Sequence, residues 1–273
     1  MPIEIINQDC RPVLKSFKHN NRKFNLVVTS PPYNAGKAYE KNLSLDEYRD
    51  FAESWVSPLS ELVLESGSLW INLGFFDLGD NRTLPLTYVY YQVCKLPLVQ
   101  EVVWHYEGGM SYKNRFSHRT ERWMWFSPNP RKVAFNLNDV RAKTKKYDHR
   151  NNPLGKNPTD YWFFNRVSNN SREKTSHPCQ FPSSMIRRIV AACSSRDDSV
   201  LDPFMGSGSV GVACNELHRS FVGIEISRHY CRIARKRISD SMPSIWDEDG
   251  NLSERCVGNK TEEMKLTPRP MDI

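Results

Sequence analysis

The segment Asp202-Pro203-Phe204-Met205-Gly206-Ser207-Gly208-Ser209-Val210-Gly211 holds a strict G-x-G-x-x-G at 206, 208 and 211. It follows a predicted strand, Ser199–Asp202, and opens a predicted helix, Val210–Leu217. A further predicted strand, Phe221–Ile224, runs into Glu225, 19 residues after Gly206. At that interval a carboxylate accepts the ribose hydroxyls of a nucleoside lying on the loop. The glycines let the backbone turn tightly and let a ligand approach it with no Cβ in the way. Position is what constrains the fold. Gly211 stands only 62 residues from the end of a 273-residue chain, whereas a conventional dinucleotide-binding domain places this unit first. The strands that complete the sheet therefore have to come from earlier in the chain.

Candidates for those strands are present. Ile3–Ile6 is a short one, followed by the polar turn Asn7-Gln8-Asp9-Cys10. Phe24–Thr29 is an apolar, β-branched run of the kind buried on both faces of a sheet. Leu45–Leu64 has helical periodicity with Asp46 and Glu47 in its first turn. Leu69–Leu73, Val99–Trp104 and Arg122–Phe126 read as strands, and Pro182–Cys193 and His229–Ile238 as amphipathic helices. Strand and helix alternate, which predicts an α/β layer sandwich. The length suits one large domain or a domain with an insert. No stretch approaches the apolar length of a membrane span, and no secretory signal is expected. Seven cysteines form no Cys-x-x-Cys pair, which argues for a reducing, cytosolic setting and against a zinc ribbon. Seven tryptophans and a Trp123-Met124-Trp125 run expected at the surface permit a homodimer.

The strand Phe24–Thr29 stops at Ser30-Pro31-Pro32-Tyr33. The prolines fix φ and carry no N–H, and Pro31 keeps Ser30 out of the helical region. The loop is thus a stiff rim of acceptors: the Ser30 hydroxyl oxygen and the carbonyls of Ser30 and Pro31. Tyr33 adds an aromatic ring at its edge. Such a rim suits an exocyclic amino group, a pure donor, on a planar ring that stacks on Tyr33.

Net charge is +7, from 38 Lys+Arg against 31 Asp+Glu, and the pI is about 9.0. Charge of this sign suggests an anionic partner, nucleic acid first. It is not spread evenly. Residues 131–150 carry seven Lys/Arg and two Asp, whereas the tail from Ser239 onward has eight acidic and four basic residues. The 131–175 segment has Asn- and Pro-rich turns and few periodic apolar positions. Read alone it is a solvated loop.

The two loops together resemble the amino-methylating DNA methyltransferases, which transfer a methyl group from S-adenosylmethionine to an exocyclic base nitrogen. Ser30-Pro31-Pro32-Tyr33 is similar to the family's catalytic [D/N/S]-P-P-[Y/F/W], and Asp202-Pro203-Phe204-Met205-Gly206-Ser207-Gly208 to its cofactor loop. Glu225 and Ile226 end the next strand as in the family. His177-Pro178-Cys179-Gln180-Phe181-Pro182 resembles its H-P-x-Q-x-P element, and Asn7-Gln8-Asp9-Cys10 its G-D-C-like turn, with Gln8 in place of the usual glycine. Lys156-Asn157-Pro158-Thr159-Asp160-Tyr161-Trp162 is similar to a further G-K-N-P-x-D-x-W element. The catalytic loop comes first and the cofactor loop last, as in the circularly permuted β group. The resemblance spans roughly residues 3–238.

It implies a Rossmann-like three-layer α/β/α methyltransferase fold with a catalytic half at 1–130, a target recognition insert at 131–175, a cofactor half at 176–238 and an acidic tail at 239–273. It implies that Asp202, Pro203, Phe204, Gly206, Ser207 and Gly208 wrap the methionine moiety, that Glu225 with Ile226 takes the ribose, and that Asp9 with Cys10 takes the adenine. His177, Pro178, Gln180 and Phe181 would close over the cofactor. Lys37, Arg141, Lys143, Lys145, Lys146 and Arg150 are the implied contacts to double-stranded DNA. A flipped base would lie on Tyr33 with its amino group on Ser30 and the Pro31 carbonyl, and no metal is expected. In the family, serine at the first loop position is associated with N4-cytosine and aspartate with N6-adenine, so cytosine is favoured and adenine stays open. Pairing with a restriction endonuclease in a prokaryotic cytoplasm fits this class. Cytosine C5 chemistry would need a nucleophilic cysteine, and Pro178-Cys179 sits in the cofactor-closing element instead. A nicotinamide-dependent oxidoreductase would leave Ser30–Tyr33 and the basic insert unexplained. A non-catalytic nucleic-acid-binding module would bind DNA without methyl transfer.

Overall fold

The computed structural model describes residues 2–34, 43–109, 111–143 and 152–241. Ten strands are present among them: β1 (Ile3–Ile6), β2 (Phe24–Thr29), β3 (Val63–Leu73), β4 (Phe75–Gly79), β5 (Arg82–Pro85), β6 (Leu98–His105), β7 (Thr120–Phe126), β8 (Tyr161–Phe163), β9 (Ser199–Asp202) and β10 (Ser220–Ile224). The helices are α1 (Cys10–His19), α2 (Leu45–Ser60), α3 (Leu86–Val93), α4 (Leu137–Val140), α5 (Ser183–Cys193), α6 (Ser209–Glu216) and α7 (Arg228–Asp240). β4 and β5 form a small hairpin; the other eight strands make one sheet in the order β1-β10-β9-β2-β3-β7-β6-β8.

From β1 to β3 all pairings are parallel, while β7 is antiparallel to both β3 and β6. The two strands that carry the sequence motifs are neighbours, with Leu26 opposite Val200 and Val27 opposite Leu201. Chain order reverses between β9 and β2. This is the switch point of an open α/β sheet, where the carboxyl ends of the strands leave a crevice for ligands. Late strands β9 and β10 thus complete a sheet begun by β1 and β2, as the position of the glycine loop demanded. No helix among the described residues is long and apolar enough to cross a membrane.

Local chemistry explains the helices. Asp9 caps α1, its side chain accepting from the Arg11 N–H, and Val13, Leu14 and Phe17 turn inward. Ser44 and Glu47 close a reciprocal capping box on α2, and Tyr48, Ala52, Trp55, Val56 and Leu59 are buried at helical spacing. The expected helix Leu45–Leu64 is shorter than its periodicity suggested. It ends at Ser60 because Val63 is taken by the sheet, pairing with Phe24, while the Phe24 N–H donates to the Leu62 carbonyl at 2.8 Å. The Asn7–Cys10 turn runs directly into α1, with Cys10 its first residue. Pro12 lies in the first turn, where its missing N–H costs nothing.

Trp123-Met124-Trp125 is not at the surface. Trp123 is fully buried and Trp125 nearly so. Trp125 stacks on Trp70 at 5.0 Å and donates its Nε1–H to Ser68 Oγ at 2.9 Å; Trp123 packs on Phe181 at 5.1 Å. Trp123, Met124 and Trp125 are all buried, so this run offers no surface to a partner. Segment 131–175 also contributes to the main sheet: β8 pairs in parallel with β6, Trp162 turned in and Tyr161 and Phe163 out.

Candidate active site

Thr29 and Asp202 end the two central strands side by side. The Thr29 hydroxyl donates to Asp202 Oδ1 at 2.8 Å, a buried bond that joins the two motifs across 173 positions of sequence. The Phe204 N–H donates to the same oxygen at 3.1 Å. Burial pushes the Asp202 carboxyl up to about 7, against the pull of these two donors. Above this pair lies a cavity of about 670 Å³, lined by both loops.

The Ser30–Tyr33 loop is held from behind. Tyr48 of α2 donates its hydroxyl to the Pro32 carbonyl at 2.8 Å, which leaves the neighbouring Pro31 carbonyl as the rim's backbone acceptor. Ser30 Oγ donates to Tyr33 Oη at 2.9 Å, and Tyr33 donates to Asn72 Oδ1 at 2.6 Å. Asn72 Nδ2 faces the Arg122 carbonyl at 3.4 Å, so its Oδ1 is the end turned to Tyr33. The direction of this relay matters. With its proton committed to Tyr33, Ser30 Oγ keeps its lone pairs as acceptors. The Tyr33 ring lies against the end of β3, where a Cβ on Gly74 would stand 3.1 Å from Tyr33 Cδ2; a side chain there would displace the ring. Glu121 on β7 comes within 3.4 Å of Tyr33 Oη, and burial lifts its carboxyl to about 7.

The glycine loop turns at Gly206, at φ +52°. Its N–H donates to Glu225 Oε2 at 2.9 Å, and Ser227 N–H donates to Oε1 at 2.7 Å. The Ile226 N–H also bears on this carboxylate. Burial raises the Glu225 carboxyl while these donors oppose it. A Cβ on Gly206 would stand 2.9 Å from His177 Nε2, so the imidazole closes directly over the glycine. Burial lowers His177 to about 4, with Lys174 and Arg237 adding to the effect; the ring is neutral at pH 7. It meets Tyr230 edge-on at 4.5 Å.

The remaining expected residues divide. Asp9, Cys10, Gln180, Phe181, Pro203, Phe204, Ser207 and Ile226 line the cavity. Asp9 is at the same time engaged by Arg11, which lowers its pKa. Burial pushes the Cys10 thiol up to about 12. The Gln180 amide is spent on its own segment, accepting from Thr175 and donating to the Glu173 carbonyl. Phe204 meets Trp55 of α2 at 5.0 Å, forming part of the floor. Pro178 and Gly208 lie off the cavity wall; Gly208 faces Ala234 of α7. Arg141 is tied to Asn138 and the Gly155 carbonyl. Lys143 is exposed. Lys37, Lys145, Lys146 and Arg150 lie outside the described residues, as does the tail beyond 241.

Tyr48, Asn72, Gly74 and Glu121 were not singled out from the sequence. Asn72 did carry a signal: it is the one polar residue in Leu69-Trp70-Ile71-Asn72-Leu73. Among the described residues no group of three or more His, Cys, Asp or Glu could hold a metal ion.

A crevice at the switch point, a glycine cradle that a Cβ would fill and a carboxylate at the end of the next strand suit a nucleoside-type ligand. The sequence pattern of the DNA methylase family, of N6/N4 type, matches residues 24–236. Type II methyltransferase M.ScaI of Streptomyces caespitosus is 38% identical over 235 residues, covering 82% of this chain and 77% of that protein. DNA adenine methyltransferase YhdJ of Escherichia coli strain K12 is 26% identical over 285 residues, 98% and 94% of the two chains. The crystal structure of the M1.HpyAVI–SAM complex superposes with a TM-score of 0.61 at 26% identity, covering 86% of this chain and 98% of the other. PvuII DNA methyltransferase (cytosine-N4-specific) reaches a TM-score of 0.70 over 94% and 90% of the chains at 19% identity, a likeness of fold. The chain belongs to the DNA methylase family. It is an amino-methylating DNA methyltransferase that uses S-adenosylmethionine.

Glu225→Ala is expected to weaken S-adenosylmethionine binding by about ten- to a hundredfold, as loss of a charged acceptor does. Isothermal titration checks it; unaltered affinity would remove Glu225 from the cofactor site.

Proposed function

We propose that this enzyme methylates the exocyclic N4 of cytosine at a specific site in duplex DNA, as the modification partner of a restriction endonuclease in a prokaryotic cytoplasm. The observation that carries the choice of amine chemistry is the directed relay Ser30→Tyr33→Asn72. It turns Ser30 into a neutral acceptor beside the Pro31 carbonyl. Two acceptors can hold both N–H bonds of an amino group and turn its poorly nucleophilic lone pair out of the ring plane. When bound, S-adenosylmethionine supplies the electrophilic methyl group. The protein contributes position and fixed dipoles, the terms that dominate such transfers. Asp202, with Gly206 beside it, would hold the methionine end; Glu225 the ribose; Asp9 and Cys10 the adenine edge; and His177 with Phe181 would close the site. The type II designation of M.ScaI supports the restriction-modification setting.

Serine at position 30 favours cytosine by the family's association. Adenine is the second reading: the same acceptors serve either amine, and YhdJ is named as an adenine methyltransferase. Incubation with labelled S-adenosylmethionine and mixed-sequence duplex DNA, followed by nucleoside analysis, decides between them. N4-methylcytosine is the expected product. N6-methyladenine would reverse the base assignment, and an unlabelled DNA fraction would reject the reading.

A further inference from the structure

Phe116 is the most exposed large apolar side chain among the described residues, with 99% of its surface open. It stands on the loop between β6 and β7. Because β7 runs antiparallel to β3, this loop leaves the sheet at the edge where the catalytic rim sits, and Glu121 at the start of β7 is 3.4 Å from Tyr33 Oη. Phe116 precedes Glu121 by five residues, at most about 18 Å of chain.

The loop is braced at its base. Tyr112 N–H donates to Ser117 Oγ at 3.1 Å. The Arg115 guanidinium lies 4.2 Å over the Tyr112 ring and donates to the Asn81 carbonyl at 3.2 Å. His118 stacks on Phe75 at 4.1 Å. This bracing leaves Phe116 exposed on a loop that also carries Lys113, Arg115 and Arg119. Nη2 of Arg166 and Nη1 of Arg119 converge on Gly109, 3.0 and 3.6 Å from where its Cβ would be. An exposed aromatic ring on a loop that also carries lysine and arginine fits a partner that is anionic outside and aromatic inside, which describes a nucleic acid duplex.

We propose that Phe116 enters the base stack at the place vacated by the flipped target nucleotide, while Lys113, Arg119 and Arg166 hold flanking phosphates. The inference rests on duplex DNA being the substrate. Flipping breaks a base pair and two stacking contacts; an inserted phenyl ring would restore stacking in the gap and slow the base's return.

The test uses the full chain and a duplex bearing one site mapped from the wild-type methylation pattern. Phe116→Ala is expected to keep its cofactor affinity, because a ring this exposed adds nothing to packing. Its single-turnover rate on the paired duplex should fall about tenfold or more, the scale of lost base stacking. With a mismatch at the target position, where the pair is already open, it should return to within about threefold of wild type. Phe116→Trp should remain active on both duplexes. Equal rates for Phe116→Ala and wild type on the paired duplex would overturn the wedge, as would a loss that the mismatch does not relieve. A wild type that methylates no duplex would overturn the substrate reading as well.

Discussion

Replacing Tyr33 with alanine is expected to slow methyl transfer by about a hundred- to a thousandfold, with cofactor affinity little changed. Two separate losses add up to that figure. The ring that would carry the flipped base is gone, and base–aromatic stacking is worth about 1–3 kcal/mol. The relay from Ser30 also loses its middle member. Ser30 Oγ now donates to Tyr33 at 2.9 Å; without that acceptor its proton is free to turn into the cavity, where it meets an amino group that is itself a donor. Tyr33→Phe separates the two effects, because it keeps the ring and removes only the hydroxyl. It should cost about tenfold, the equivalent of one mis-set hydrogen bond. Single-turnover assays with titration of S-adenosylmethionine check both variants. Wild-type turnover in Tyr33→Phe would show that the orientation of the Ser30 proton is immaterial.

How far such a site can be read from sequence depends on where its parts come from. Each of the two motifs was legible as a unit, because a proline pair or a spaced glycine set leaves a local mark. Their adjacency was expected too, from the order of the two motifs along the chain. The bond between Thr29 and Asp202 joins them. The support behind the rim was not legible. Tyr48, Asn72 and Glu121 come from α2, β3 and β7, three elements far apart in the chain, and no local motif marks any of them as facing the site. Helix α1 was hidden by Pro12, a helix breaker everywhere except in the first turn. Helix α3, Leu-Thr-Tyr-Val-Tyr-Tyr-Gln-Val, has the aromatic and β-branched composition of a strand; it is helical because Leu86, Val89, Tyr90 and Val93 share one buried face. The edge strand Tyr161-Trp162-Phe163 is three aromatics in a row with no alternation to mark its faces, within a segment whose turns and charges read as loop.

Asp202→Asn is expected to stabilise the protein near neutral pH while impairing cofactor binding. In the folded protein the Asp202 carboxyl titrates at about 7, against 3.8 for the free group. Between those values the native state holds a proton that the unfolded chain has released. Stability falls with pH wherever the native state binds more protons. The penalty from Asp202 is therefore absent below about pH 4, grows as pH rises through the window and is complete above about pH 7. Asparagine never ionises, and its Oδ1 can still accept from Thr29 and from the Phe204 N–H. The variant should match wild type at pH 4 and exceed it by roughly 2–4 kcal/mol at pH 8. Glu121 and His177 also have shifted values, but they are common to both proteins and cancel in the comparison. Thermal unfolding of the pair at several pH values measures the difference; a gap that stays constant with pH would show that Asp202 does not titrate in this window. At pH 8 the same substitution removes a carboxylate from the cavity wall, so S-adenosylmethionine affinity should drop about tenfold or more. A charge held at a cost in stability, between the ends of the two central strands, is what a site built to grip a cationic ligand requires.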